Sequence, residues 1–314
     1  MSSRLDELRM VDPVLTTVAQ GYSNASMIAE LIFPHVAVSK LKGKIPVFGK
    51  EAFVVRETLR AIRADSNRIP PSNLELVSFE TKENDAEIAL DYLEEEETPE
   101  FLRLEQRVAR ELSDILMLGK EKEAADYLQD HANFNSSLHC HLDSSNCWDD
   151  YTLTTVDPIA DIKDAMSTVR NKIARYPNTM IMGDKTYQAL LQHPKIIERI
   201  KYSGISRITR NILSELTEIP VIGVGLAVHT TDGASFSDVW ADNLILAYVD
   251  QNERSLRSEY NPSYGYTFQR EGKPEIDSYY ENGGKRKVIR ATDNYCIKVT
   301  AADAAYLIAN TNAS

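Results

Sequence analysis

The sequence predicts an α+β protein in which a long strand-like ribbon precedes one long helix and a compact α/β region. Residues 43–97 combine charge with short apolar runs typical of strands. After residue 98, apolar residues recur at helical spacing, and between residues 157 and 252 predicted helices alternate with short apolar strands. The 43% apolar content is enough for a hydrophobic core, and 314 residues allow one large domain or two ordinary ones.

Net charge limits the classes of partner. The chain carries −12 with a pI near 5.1, so its overall field opposes attraction to nucleic acid or to an anionic membrane. The start lacks the apolar core of a signal peptide, and the longest apolar run, residues 219–228, is too short to span a bilayer. Three cysteines cannot all pair, which fits a reducing compartment. We therefore expect a soluble protein, made in the cytoplasm, without membrane contact.

Residues 1–42 are predicted to form an N-terminal arm. Pro13, Gly21 and Pro34 interrupt its short apolar patches, such as residues 27–33. These patches lack the length for a core of their own. The arm is therefore expected to lie along other parts of the protein.

Residues 43–97 are predicted to form a two-armed ribbon. Strand-like sequence with Phe48 and Phe53 leads into a basic turn containing Pro70-Pro71, and residues 74–80 return with alternating residue types. At about 3.3 Å per residue, the arms would reach roughly 45 to 60 Å. A lone two-stranded ribbon is marginally stable and its edges pair with other chains, so a neighbouring subunit should hold it. A disordered charged insertion, the alternative, would not need these apolar side chains.

A long helix is predicted from Thr98 to about Leu128, within residues 98–156. Thr98 can cap this helix, and the proline that follows suits its first position. The predicted buried face consists of Phe101, Leu104, Val108, Leu112 and Ile115. The opposite face carries charges at helical spacing, such as Arg107 with Glu111, and should be solvated or face another subunit.

Residues 157–252 are predicted to form an α/β domain, and residues 253–314 to return as strands that cover the long helix. Asp157-Pro158 and Pro194 each begin a predicted helix, and Asp184 is predicted to cap another. The predicted strands are residues 179–182, 219–228 and 244–249, followed by 264–268, 276–280, 287–291 and 295–299.

Two residue groups offer cofactor or metal chemistry, and both are better explained structurally. His139-Cys140-His141, with His131 and Cys147 nearby, supplies possible metal ligands, but the spacing matches no zinc pattern and the surrounding residues predict a loop. Residues 223–225, Gly-Val-Gly, follow an apolar strand, yet neither a third glycine nor a helix start comes after them. A strand bend or tight turn is predicted there, with no cofactor and no metal.

No group of residues predicts catalysis. The glutamates at 94–97 are adjacent, so their side chains point in different directions and stay solvated. His35, His193 and His229 lie in unrelated predicted elements, and no serine, histidine and acid cluster can be argued from them. We predict no catalytic residue.

Several local sequences, in their order along the chain, carry a family resemblance. They are YPNTMIMG (176–183), YQAL (187–190), HPKI (193–196), WDD (148–150) leading to DPIADI (157–162), YGYTF (264–268), RATDN (290–294) and AADAAYL (301–307). With the order of arm, ribbon, long helix and α/β domain, they make the chain resemble the major capsid proteins of tailed phages, from about Asp12 to Ala309. Encapsulin nanocompartments share this fold.

The resemblance implies a five-part fold. The parts are an N-terminal arm (1–42), an extended β-ribbon loop (43–97), a spine helix with the first part of a peripheral domain (98–156), an axial domain (157–252) and C-terminal strands that return to the peripheral domain (253–314). It also implies a structural protein that is not an enzyme and self-assembles as pentamers and hexamers into an icosahedral shell enclosing double-stranded DNA. Such a protein would assemble in the host cytoplasm and reside in the virion capsid.

The resemblance also implies partners and contacts. The partners are further copies of the chain, a separate scaffolding protein, a portal, and cement or decoration proteins. The expected contacts between subunits are Phe48, Lys50, Phe53, Arg56, Arg60, Arg63, Arg68, Arg107 and Glu111. Some relatives crosslink subunits through a lysine on the extended loop. Lys50 and Lys82 lie there, but no acceptor is identified, so no crosslink is predicted.

Three basic clusters are candidates for non-specific DNA contact, namely residues 40–44, 60–68 and 285–287. They are equally explained as solvated groups or as partners of protein carboxylates. Two alternative functions stay open, an encapsulin-type shell around enzyme cargo and a cytosolic α/β enzyme. Particle imaging separates shells from the enzyme, and nucleic acid content separates the two kinds of shell.

Overall fold

The structure, a computed structural model, describes residues 10–21, 27–47, 59, 75–97, 101–201, 208–252 and 261–312. The helices are α1 (Pro13–Gly21), α2 (Ala29–Ile32), α3 (Tyr92–Glu97), α4 (Phe101–Gln129), α5 (Pro158–Ile173), α6 (Asp184–Gln192), α7 (Pro194–Ile200) and α8 (Arg210–Thr217). The strands are β1 (Met10–Val11), β2 (His35–Val38), β3 (Lys42–Val47), β4 (Glu75–Glu80), β5 (Lys82–Asp91), β6 (His139–His141), β7 (Thr179–Gly183), β8 (Val221–Gly225), β9 (Val228–His229), β10 (Ser237–Asp238), β11 (Leu244–Ala247), β12 (Gly265–Arg270), β13 (Glu275–Glu281), β14 (Arg286–Val299) and β15 (Ala305–Ala309).

The larger sheet is built around β14. Its strand order is β1-β13-β14-β12-β2, and β5 pairs along the free side of β14. Residues 287–291 and 295–299 were predicted as two strands, but they belong to one strand of 14 residues. The three polar residues between them are buried, and Asp293 and Asn294 have side-chain partners on β12, α4 and β5. Because Asp293 and the Asn294 amide nitrogen find these partners, the strand continues through the polar residues, although Oδ1 of Asn294 is buried without a hydrogen bond among the described residues.

The stretch 43–97 was expected to lack a partner in its own chain, and this is wrong for its last part. Residues 82–91 form β5, which pairs antiparallel with β14 from Lys82↔Tyr295 to Asp91↔Arg286. Alternate residues of β5 are partly buried, and Leu90 is buried, because one face of the strand packs towards α4. Only β3 and β4, of the described residues in this stretch, form a separate two-stranded ladder.

The long helix α4 spans 29 residues, about 44 Å at 1.5 Å per residue, close to its predicted bounds. Val108 and Leu112 are buried against the larger sheet, as predicted. Ile115 is 50% exposed, so the predicted buried face is wrong at that position. Seven residues turn a straight helix to about 20° short of two full turns, so Ile115 points nearly in the direction of Val108 and helical spacing alone cannot separate the two positions.

The described N-terminal residues pack into cores that other elements build, in agreement with the expectation that the arm has no core of its own. Leu15 of α1 packs with α4 and β13, while Ile32 and Phe33 enter the cluster between the two sheets. Asp12 caps α1 by accepting hydrogen bonds from Val14 and Leu15. The arm supplies single apolar residues to cores that other elements build.

The second sheet has the order β6-β15-β11-β7-β8. Together with α5 to α8 it encloses a second core that includes Trp148, Ile162 and Leu246. The predicted α/β character of residues 157–252 is observed, but two of the five strands, β6 and β15, come from outside that range. The last described strand therefore joins this sheet, where the sequence predicted a return to the elements covering the long helix. The apolar sequence of β15 explains why it joins the second sheet, since Leu307 and Ile308 are both fully buried in that sheet.

Most of the helix starts predicted in this region are confirmed, and the strand bounds are confirmed in part. Asp157 caps α5 through the backbone N–H groups of Ile159 and Ala160, and Pro194 opens α7. Asp184 lies in the first turn of α6 and Gly183 is the capping position, so the predicted cap is wrong by one residue. The predicted strand 219–228 is divided into β8 and the short β9. In the part of the chain that the structure describes, no helix is long and apolar enough to cross a membrane.

Candidate subunit interface

The ribbon begins from a fixed root. Strands β3 and β4 pair from Lys42↔Glu80 to Val47↔Glu75, so the chain leaves the root after Val47 and returns before Glu75. Ile45 is fully buried against Val36, Tyr266 and Phe268 of the larger sheet. This apolar contact fixes β3 against the larger sheet.

A glycine and two aromatic rings stiffen the root. Gly43 lies opposite Phe79, and a Cβ atom at Gly43 would lie 2.5 Å from Cε1 of the Phe79 ring. The ring therefore crosses the space over the glycine and stacks on Phe268, with centroids 4.7 Å apart and planes 19° apart. Offset aromatic stacking adds about 0.5–1.5 kcal/mol beyond the area it buries.

Polar contacts fix the long helix to the larger sheet. Lys120 of α4 forms an ion pair of 2.8 Å with Asp293 of β14, whose other carboxylate oxygen accepts from Gln269 at 2.8 Å. The same lysine lies over the Tyr295 ring, 4.5 Å from its centroid. Lys287 at the other end of β14 pairs with Glu105 of α4. Because two ion pairs join α4 to β14, the helix and the larger sheet are held as one unit.

Glu121 joins three parts of the chain, and no local sequence pattern identifies it. Its carboxylate is buried and accepts hydrogen bonds from the backbone N–H groups of Ile28 at 2.7 Å and Ala29 at 2.9 Å. It also accepts from the Trp240 indole at 2.6 Å. Burial raises the pKa of Glu121, and the three hydrogen bonds oppose that rise. The arm, the long helix and the segment after β10 therefore meet at one carboxylate.

Gly225 leaves the space that the Trp240 ring occupies. A Cβ atom at Gly225 would lie 2.1 Å from Cδ1 of the Trp240 ring. Gly223 similarly faces Leu31, at 2.6 Å from its Cδ1 to the position of a Cβ atom. The Gly-Val-Gly sequence forms the end of strand β8, which agrees with a structural role in place of a dinucleotide-binding loop.

Most of the predicted contact residues lie outside the described part of the chain. These are Phe48, Lys50, Phe53, Arg56, Arg60, Arg63 and Arg68. Arg107 and Glu111 are both exposed on α4, on the side away from Val108 and Leu112. Ion pairs within the described residues do not join Arg107 to Glu111, so the structure leaves this charged surface facing outward.

The cysteine and histidine sequence forms a strand, which corrects the predicted loop. His139 to His141 make β6, parallel to β15. The rings of His131 and His139 lie 5.8 Å apart, and Nε2 of His141 is 2.9 Å from Nδ2 of Asn310. Nowhere among the described residues do three or more metal-binding side chains come together.

Comparison with solved structures defines the class of protein. A phage-related protein from Bordetella bronchiseptica RB50 matches with a TM-score of 0.80 and 30% identity, over 96% of this chain and 98% of that one. The mature capsid of bacteriophage PhiM1 matches with a TM-score of 0.56 and 11% identity, over 92% and 88% of the two chains. The second likeness shows the fold alone, which is that of phage capsid proteins.

Sequence comparison then gives the family. The family model described as phage major capsid protein E matches residues 116–274. The major capsid protein of Burkholderia phage BcepMu is 40% identical over 310 residues, which cover 98% of this chain and 99% of that protein. The chain belongs to this family of phage major capsid proteins. It is a structural component of the virion of a tailed phage. The family is not an enzyme family, and neither the enzyme nor the encapsulin alternative is favoured.

Proposed function

We propose that copies of this chain assemble as pentamers and hexamers into an icosahedral shell that encloses double-stranded DNA. The observation that carries the proposal is the anchored pair of β3 and β4 in a chain of the capsid family, with residues 48–74 between these strands in the sequence. At about 3.3 Å per residue, half of that segment reaches roughly 45 Å. That length is enough to cross a neighbouring subunit.

The ribbon of one subunit lies over the long helix and larger sheet of the next. Its apolar side chains, such as Phe48 and Phe53, supply the buried area, and exposed Arg107 and Glu111 supply charged contacts on the receiving helix. Obligate interfaces of this kind bury about 2,000–5,000 Å² or more. The ribbon would then be stable only when the neighbour is present.

Charge complementarity supports this arrangement. Residues 48–74 contain five basic and three acidic side chains, whereas the whole chain carries −12. On β5 the exposed residues include Glu83, Asp85 and Glu87, so the edge of the larger sheet presents carboxylates. The arginines at 56, 60, 63 and 68 would pair with such carboxylates on the neighbouring subunit.

Contact with DNA would be non-specific and weak. Lys42 forms an ion pair of 2.6 Å with Glu80, and Lys287 pairs with Glu105, so two of the three basic clusters already contact protein carboxylates. A separate scaffolding protein, a portal and cement proteins are proposed as further partners, with assembly in the host cytoplasm. These partners follow from the family likeness.

Cryo-electron microscopy of particles assembled in cells tests the proposal. We expect closed icosahedral shells in which density for residues 48–74 lies over α4 of an adjacent subunit. The shells from infected cells should contain double-stranded DNA. Density showing the ribbon folded back on its own subunit would contradict the proposal, and protein cargo in shells without DNA would favour an encapsulin-type role.

A further inference from the structure

A short hairpin after β8 presents an exposed apolar face. Strands β9 and β10 pair through His229↔Ser237 and Val228↔Asp238. Continuing this register places Phe236 on the same face as Val228, since alternate residues of a strand share a face. Phe236 is 78% exposed and Val228 is 44% exposed. A large aromatic side chain at this exposure is a candidate interface anchor.

The tip of the hairpin holds a fixed shape. Asp232 accepts hydrogen bonds from the backbone N–H groups of Ala234 and Ser235 and from the hydroxyl of Thr230, at 2.9 to 3.1 Å. Gly233 has φ of 70°, a conformation that suits glycine. The hydrogen bonds hold the pKa of Asp232 well below its ordinary value, so the tip stays negatively charged. A braced loop loses little conformational freedom on binding.

A cavity beside the ribbon root has complementary chemistry. Its volume is about 550 Å³, and Phe79 lines it together with Lys42, Lys44, Lys298 and Cys296. The Phe79 ring is held in place by its stack on Phe268. The cavity therefore offers an aromatic surface among three lysines, whereas the hairpin offers an aromatic ring between Asp232 and Asp238.

We propose that the hairpin of one subunit docks in this cavity of a neighbouring copy. Phe236 packs against Phe79, and the hairpin carboxylates face Lys44 and Lys298. The presence of a neighbouring copy rests on the proposed function. Lysines beside an aromatic ring also suit nucleic acid, but Glu80 lines the same cavity and pairs with Lys42. Three lysines less one glutamate leave a lining charge of +2, which Asp232 and Asp238 of one hairpin would balance, whereas a duplex would bring many more phosphates than the cavity can neutralise.

Cysteine crosslinking tests the contact directly. In Ala234→Cys, which keeps Phe236, a short bismaleimide should join the new thiol to Cys296 of the neighbouring subunit in assembled shells. We expect covalent dimers and larger species on a denaturing gel, which disappear when Cys296→Ser is added. Thr152→Cys, an exposed position elsewhere, is the matched control and measures background from the native cysteines. Shells of Ala234→Cys that give no more product than this control would overturn the proposal.

Exchanging the charges of Asp238 and Lys298 tests the contact in a second way, through the yield of shells. Asp238→Lys and Lys298→Glu should each lower the yield of shells several-fold, and the double variant should recover most of it. Unchanged thermal unfolding of the unassembled subunits would show that the single variants fold. If neither single variant lowers the yield while loss of the ribbon abolishes shells, the docking proposal fails and the proposed function stands.

Binding of duplex DNA to unassembled subunits tests whether the cavity receives nucleic acid in place of the hairpin. Lys298→Glu and Lys44→Glu should leave weak DNA binding unchanged if the cavity receives the hairpin. Loss of that binding, with shell yield unaffected, would assign the cavity to nucleic acid and contradict the proposal.

Discussion

At the scale of single residues, a few buried polar groups hold the molecule together. Glu121 connects the arm to the long helix and to Trp240, and Asp293 connects the helix to the sheet. The sequence did not reveal either role, because each depends on partners that lie tens to hundreds of residues away. The Asp157 cap was predicted correctly, since a cap needs only the two or three residues that follow it.

Removing the Glu121 carboxylate should destabilise the subunit strongly. Glu121→Ala would leave three buried donors without an acceptor, at about 1–3 kcal/mol each, so we expect a loss of about 3 kcal/mol or more. Trp240→Phe removes one donor and should cost less. Urea unfolding of unassembled subunits measures both, with Glu111→Ala on the same helix as the exposed control. Equal losses for Glu121→Ala and Glu111→Ala would show that the junction is not needed.

His193 should make stability depend on pH. Its buried imidazole caps α7, with Nδ1 accepting from the Lys195 N–H at 3.3 Å. Burial lowers the pKa of His193, although Asp157 opposes this, so the folded protein favours the neutral form. Stability from this group is present above the unfolded pKa, about 6.5, and is lost as the pH falls from there towards the folded pKa.

The test for His193 is thermal unfolding at neutral pH and at about pH 5.5. His193→Asn keeps a capping acceptor but cannot titrate, so its melting temperature should change less between the two conditions. The same pH dependence in both proteins would contradict a role for His193.

At the scale of elements, the sequence pattern predicted the long helix and the buried strands. It did not predict which elements pack or pair beside them. The spacing of Val108 and Leu112 predicted α4 correctly. The pattern could not show that β5 pairs with β14 or that β15 joins the second sheet, because apolar alternation does not identify the partner strand. Ile115 shows the same limit, since a helical stripe drifts round the helix and only the packed structure shows where burial ends.

The long helix gives a prediction with an internal control. Val108→Asp would bury an unpaired carboxylate and should cost on the order of several kcal/mol of subunit stability. Arg107→Ala should cost under about 1 kcal/mol, because an exposed charge contributes little. Ile115→Asp should also be mild in unassembled subunits. Denaturant unfolding compares the three variants, and a large loss for Ile115→Asp would mean that its exposed position is packed in the subunit.

At the scale of the whole molecule, the described residues combine packed cores with β3 and β4, the anchored root of the proposed ribbon. The acidic sheet edge, the basic ribbon and the exposed charges of α4 suit contacts between copies. The order of parts along the chain predicted the capsid fold, because each part has its own composition, whereas the bounds of the five parts stay a prediction. The contacts between copies stay a prediction, because they join residues of different chains and a single chain does not show them.

Deleting the ribbon tests this organisation most directly. A variant lacking Leu59 to Asn73 keeps β3 and β4, so its subunits should unfold at nearly the same temperature as the intact chain. Sedimentation velocity should then show large particles for the intact chain and only subunits or small oligomers for the variant. Normal closed shells from the variant would contradict the role of the ribbon in holding the shell together.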